Sequence, residues 1–93
     1  MRSEKGNPPI IDQANMAMVM AEIERARANH GPFNSAHEGF AVIMEELNEL
    51  WTEVCKKRST RSQRRMYAEA KQVAAMAIRF MTDICELRND QQA

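Results

Sequence analysis

Between Glu38 and Glu53 the chain sets out five carboxylates with no base among them: Glu38, Glu45, Glu46, Glu49 and Glu53. Helical residues advance by about 100° each, so Glu45, Glu46, Glu49 and Glu53 fall within an arc of about 100°. Like charges three and four residues apart repel, and only Glu53 has bases close behind it, Lys56 and Lys57. A cluster of this kind asks for a cation from elsewhere. A divalent metal that takes oxygen ligands, Mg²⁺ above all, is one answer. A solvated face paired with bases from another segment is the other. Further on, Glu69 and Gln72 stand at i, i+3, and Glu69 borders the apolar arc of its segment. Residues 56–65, KKRSTRSQRR, hold six bases and no acid. They suit a loop contacting phosphate, with Arg binding bidentately, or a plain solvated connection.

These groups need helices to position them. Apolar residues at Ile10, Ala14, Ala17, Met20 or Ala21, and Ile23 predict a first helix from Ile10 to about Asn29. His30-Gly31-Pro32 ends it, with Gly31 suited to a left-handed cap. Ser35-x-x-Glu38 reads as a capping box. It opens a second helix whose stripe of Phe40, Ile43, Met44, Leu47, Leu50, Trp51 and Val54 is the strongest periodic signal in the chain. That helix should fade near residues 56–58. Ser59, Thr60 or Ser62 caps a third helix, from about Gln63 to Arg88, with Tyr67, Ala70, Val73, Ala74, Ala77, Met81, Ile84 and Cys85 as its apolar positions. The last two helices, about 22–26 residues long, span roughly 33–39 Å and form an antiparallel hairpin. In the middle of that hairpin, Glu46 and Glu49 would meet Glu69 and Gln72.

The sequence has 93 residues, 44% hydrophobic and 28% charged, with only 3 Gly and 3 Pro. That balance indicates one small all-α domain, residues 10–88, with a flexible lead at 1–9 and a frayed end at 89–93. Thirteen bases offset thirteen acids, so no global field attracts nucleic acid or a membrane. Nor do aromatics interleave the clustered bases. No apolar run reaches the roughly 18 residues that span a bilayer. The polar start MRSEKGNPP lacks the apolar core of a signal peptide, and Cys55 and Cys85 make no disulfide framework. A cytoplasmic setting is the expectation. A chain this small buries a modest fraction of its surface, so a homodimer or homotetramer with a four-helix-bundle core is expected, with the eight Met filling helix interfaces. Trp51 belongs to that core or to the oligomer interface.

The run HEGFAVIMEELNELWTEV, a basic gap and then AEAKQVAAMAIRFMTDI together resemble the MazG-like all-α nucleoside triphosphate pyrophosphohydrolases, in particular their short, often phage-encoded members. The resemblance covers residues 37–84, about half of the chain. It implies hydrolysis of a nucleoside triphosphate to a monophosphate and pyrophosphate, with Mg²⁺, or Mn²⁺ in its place, held by Glu-x-x-Glu on one helix and Glu-x-x-Asp on the next. The first pair falls on Glu46 and Glu49, either of which could also activate water, with Glu45 adjacent. The second falls on Glu69 and Gln72, where Gln72 departs from the expected Asp. An amide oxygen can ligate Mg²⁺ but brings no charge and cannot act as a base. His37, Lys56, Arg58, Arg61, Arg65 and Arg79 are the candidates for substrate contact. Arg79 is equally placed to pair with Asp83 at i+4. Gln72 also leaves open a non-catalytic module that binds nucleotide or a protein partner.

Overall fold

The computed structural model describes residues 9–85. The expected lead at 1–9, apart from Pro9, and the expected frayed end at 89–93 lie outside them. Among the described residues there are three α-helices and no strand: α1 (Ile10–Asn29), α2 (Ala36–Val54) and α3 (Gln63–Phe80), with α3 running on into a π-helical turn, Met81–Cys85. No helix among them is long and apolar enough to cross a membrane.

Local chemistry sets the boundaries. Ser35 caps α2, its Oγ accepting from the Glu38 backbone N–H at 3.1 Å. Glu38 reaches back to the Asn34 N–H, one residue before the position a capping box uses. Of the three candidate caps for α3, Ser62 serves, accepting from the Arg65 N–H at 3.1 Å. Two expectations need correction. His30, which closes α1, is extended, and Gly31 shows no left-handed backbone. The chain simply straightens into the connection, and the Gly31 carbonyl accepts a hydrogen bond from Arg79 at 2.8 Å. The α-helical part of α3 stops at Phe80, before the expected Arg88. The wider turn that follows is anchored by Asp83, whose carboxylate accepts from the Phe33 N–H at 3.1 Å and pairs with Arg27 at 3.0 Å. The stretch 86–88 lies outside the described residues.

The helices pass each other in two directions. Gly39 of α2 abuts Phe80 of α3, while Glu46 and Glu49 meet Glu69, so α2 and α3 are antiparallel as the short connection requires. Tyr67 donates to Asn15 Oδ1 at 2.8 Å and Asp83 meets Arg27, so α1 runs alongside α3 in the same direction. The core is small. Ile23 and Ala26 of α1 and Ala75 and Met76 of α3 are buried, flanked by Val19, Phe33, Val42 and Ile43. The packed face of α1 is therefore centred on Ile23 and Ala26, not on the expected line through Ile10 and Met20, which are exposed.

The α2 stripe divides in two. Ile43, Leu50 and Val54 turn inward with Gly39 and Val42, whereas Phe40, Met44, Leu47 and Trp51 are exposed. Glu46 and Glu53 share the inward side. Gly39 marks the closest approach: a Cβ there would lie 2.6 Å from Phe80 Cδ2 and 3.0 Å from Phe33 Cδ2. Gly39→Ala should therefore lower the melting temperature. Overpacking costs about 1–3 kcal/mol, more than the ~1 kcal/mol that alanine gains in a helix. Thermal unfolding followed by circular dichroism measures the net loss.

Candidate metal and phosphate site

Three carboxylates converge where α2 and α3 cross. Glu46 and Glu49, one turn apart on α2, and Glu69 on α3 each bring an oxygen within 4.8 Å of the others. Burial, together with the charges of Glu49, Glu69 and Glu45, pushes the Glu46 carboxyl up to about 7. Burial and the hydrogen bond with Glu49 raise Glu69 as well. Ionisation of Glu46 and of Glu69 is thus disfavoured by their carboxylate neighbours. Glu53, a turn further on, is answered by Lys56 Nζ at 3.0 Å.

The donor set fits a hard divalent cation. Octahedral oxygen ligands at about 2.1 Å from an ion stand roughly 3–4.2 Å from each other, and the three carboxylates each bring an oxygen within 4.8 Å of the others. All three donors are carboxylate oxygens, the type Mg²⁺ and Mn²⁺ prefer.

Beside the trio opens a pocket of about 360 Å³ between α1, the α1–α2 connection, α2 and α3. Glu45, Glu46 and Gln72 stand on its wall, as do Arg25, His30, Phe33 and Arg79. Arg79 is buried, 3% exposed. Its guanidinium lies over the Phe33 ring at 4.5 Å, donates to Gly31 O and stands 3.9 Å from Asp83. The i+4 pair with Asp83 is therefore present, but as a weaker contact than the bond to the connection. Arg79 Nε has no partner among the described residues.

Of the residues singled out in the sequence, Glu46, Glu49 and Glu69 come together, and Glu45, Gln72 and Arg79 border the same pocket. His37, Lys56, Arg58, Arg61 and Arg65 do not line it. Lys56 is engaged with Glu53, and Arg61 donates to Val54 O at 3.2 Å, folding the connection back on the end of α2.

One residue escaped the sequence reading. Glu22 of α1 lines the pocket, is 6% exposed, and pairs with Arg25. The hydrogen bond from Arg25 holds its carboxyl below the ordinary value against the opposing effect of burial, and the nearby Gln72 side chain and Lys71 charge act in the same direction as Arg25. Glu22 and Arg25 stand at i, i+3, a common surface pairing, so nothing in their spacing marks the glutamate as buried against α3.

No protein-family model, curated protein or solved structure matches the chain.

Proposed function

We propose that this protein is a metal-dependent nucleoside triphosphate pyrophosphohydrolase of MazG-like type. The reading rests on the convergence of Glu46, Glu49 and Glu69 from two antiparallel helices beside a pocket that also holds arginines. These three carboxylates would hold Mg²⁺ or Mn²⁺, with Glu45 and the Gln72 amide at the margin. A bound ion supplies charge neutralisation at the phosphate oxygens and acidifies water. The chain's own groups do the rest. A carboxylate oxygen of Glu46 or Glu49 accepts a proton from the attacking water as its oxygen bonds to the α-phosphorus. The bond from that phosphorus to the α,β-bridging oxygen breaks, and pyrophosphate leaves with the electron pair. Arg25 and Arg79, on the pocket wall, are the cations placed to meet phosphate oxygens. A homodimer or homotetramer with a four-helix core belongs to this proposal.

Gln72 favours a second reading, a non-catalytic module that binds nucleotide or a partner. Pyrophosphate release from the eight common ribo- and deoxyribonucleoside triphosphates, with Mg²⁺ or Mn²⁺, separates the two. Release that depends on metal and is lost in Glu46→Gln is the expected result. Undiminished release in that variant refutes the assignment of the site, and a folded wild type that releases nothing leaves the binding module.

A further inference from the structure

We propose that Asp83 is a positioning residue for the pocket: it fixes the α1–α2 connection as one wall and, through that connection, seats the guanidinium of Arg79. This rests on the reading of the pocket as a phosphate site, and it applies to a binding module as much as to an enzyme.

Asp83 does not line the pocket, so it is not a ligand contact. Its side chain is 4% exposed, and a carboxylate so far from water needs its charge answered. Both oxygens are spent on other segments. Oδ1 accepts from Arg27 Nη1 of α1 at 3.0 Å, and Oδ2 accepts from the Phe33 N–H at 3.1 Å. Phe33 lies outside any helix, so this charge-assisted bond fixes the main chain there. Two residues earlier, the Gly31 carbonyl accepts from Arg79 Nη2 at 2.8 Å. The end of α3 and its π-helical turn thus grip the connection twice, from residues one turn apart. The gripped stretch, His30 to Phe33, is pocket wall.

The same contacts seat Arg79. Its Nη2 stands 3.9 Å from Asp83 Oδ2, too far for a hydrogen bond, so Asp83 acts through the connection. The Phe33 ring, placed by the bond to its own N–H, lies under the guanidinium at 4.5 Å, and the Gly31 carbonyl holds Nη2. Nη1 lies 3.6 Å from Met76 Sδ, a weak acceptor. Nε is left buried and without a partner among the described residues. A buried donor is costly to leave unmade, and an oxygen of a ligand in the pocket is the partner it lacks. Were the connection to shift, the guanidinium would lose the two contacts that seat it.

Distance separates this role from the metal. Asp83 lies roughly 20 Å along α3 from Glu69, so a change there reaches the connection end of the pocket without touching Glu46, Glu49 or Glu69. Asparagine is the informative replacement. It offers one acceptor where aspartate offers two, and its NH₂ would face a donor.

Hydrogen exchange and ligand binding on the full chain test this. The Phe33 amide should exchange slowly in the wild type although no helix protects it, and more than about tenfold faster in Asp83→Asn. The ligands are α,β-methylene analogues of the eight common triphosphates, which cannot release pyrophosphate. Asp83→Asn should weaken the tightest of them by about tenfold or more, while the rise in melting temperature with Mn²⁺ stays that of the wild type. Asp83→Glu, which keeps the charge, should fall between. A Phe33 amide that exchanges freely in the wild type, or an unchanged affinity in Asp83→Asn, overturns the role. Loss of the Mn²⁺ response together with analogue binding also overturns it, because general damage to the fold moves both. A wild type that binds no analogue overturns the role and the proposed function together. One that binds an analogue but ignores Mn²⁺ removes only the metal, and the analogue affinities then decide on Asp83.

Discussion

Glu46→Gln is expected to stabilise the metal-free protein at about pH 8 and to abolish its response to Mg²⁺. The sign follows from the direction of the Glu46 shift. Its carboxyl stands at about 7 in the folded chain against an ordinary 4.5, so the folded state binds the proton more tightly than the unfolded state does. Below pH 4.5 both states are protonated and Glu46 carries no penalty. As pH rises from 4.5 through 7, the unfolded chain ionises freely while the folded chain must ionise against burial and the charges of Glu49, Glu69 and Glu45. Stability falls across that window and stays low above it. Each tenfold difference in proton affinity is worth about 1.4 kcal/mol. Glu46 is only partly buried, so solvent screening reduces the total to about 1–2 kcal/mol. Glutamine keeps the shape and removes the charge. For a domain of this size the melting temperature of the variant should exceed that of the wild type by roughly 4–15 °C at about pH 8, and the difference should vanish near pH 4.5. Added Mg²⁺ should reverse the order, because an ion bound only by the folded wild type raises its stability by mass action. Melting curves at several pH values, with and without Mg²⁺, read both effects. A wild type indifferent to Mg²⁺ and to Mn²⁺ would remove the metal from the proposed function.

That outcome would bear on a site whose parts were unevenly legible. The three helices, the Ser35 cap and the convergence of Glu46, Glu49 and Glu69 follow from periodicity and a short connection, because an antiparallel hairpin fixes which residues can meet. The orientation of α2 does not follow. Its apolar residues spread over more than one face, and the stripe alone says nothing of which part turns toward α3. Gly39 decides it: lacking a side chain, it admits Phe80 and Phe33, and this carries Glu46 and Glu53 inward while Phe40 and Trp51 stay outside. The basic connection stands apart from the pocket for the same geometric reason. Six bases in ten residues advertise a phosphate loop, yet the connection joins α2 to α3 beyond Val54, whereas the pocket lies beside Gly31 and Phe33 of the α1–α2 connection. Its cations come from α1 and α3, as Arg25 and Arg79.

Gln72→Asp, which would complete the Glu-x-x-Asp pattern, is expected to weaken the protein, not to improve it. The Gln72 side chain helps to hold the Glu22 carboxyl below its ordinary value, both line one pocket, and Glu22 is 6% exposed. An aspartate offers no donor there. It would leave Glu22 with Arg25 and the more distant charge of Lys71, and set a second carboxylate near it at the edge of a cluster that already disfavours charge. A like charge beside a carboxylate disfavours its charged form, and a lower melting temperature should follow. The compensating change is Glu22→Gln. In the double variant the negative charge moves from α1 to α3, the total charge is unchanged, and a glutamine amide again faces a carboxylate. Stability should recover most of the loss, giving a coupling energy above 0.5 kcal/mol of the kind that neighbours in one network show. A double-mutant cycle on thermal unfolding measures it, and additive effects would mean that Glu22 and Gln72 do not act together. Glu22 brings a carboxylate to the pocket from α1, one that the α2–α3 pattern does not include.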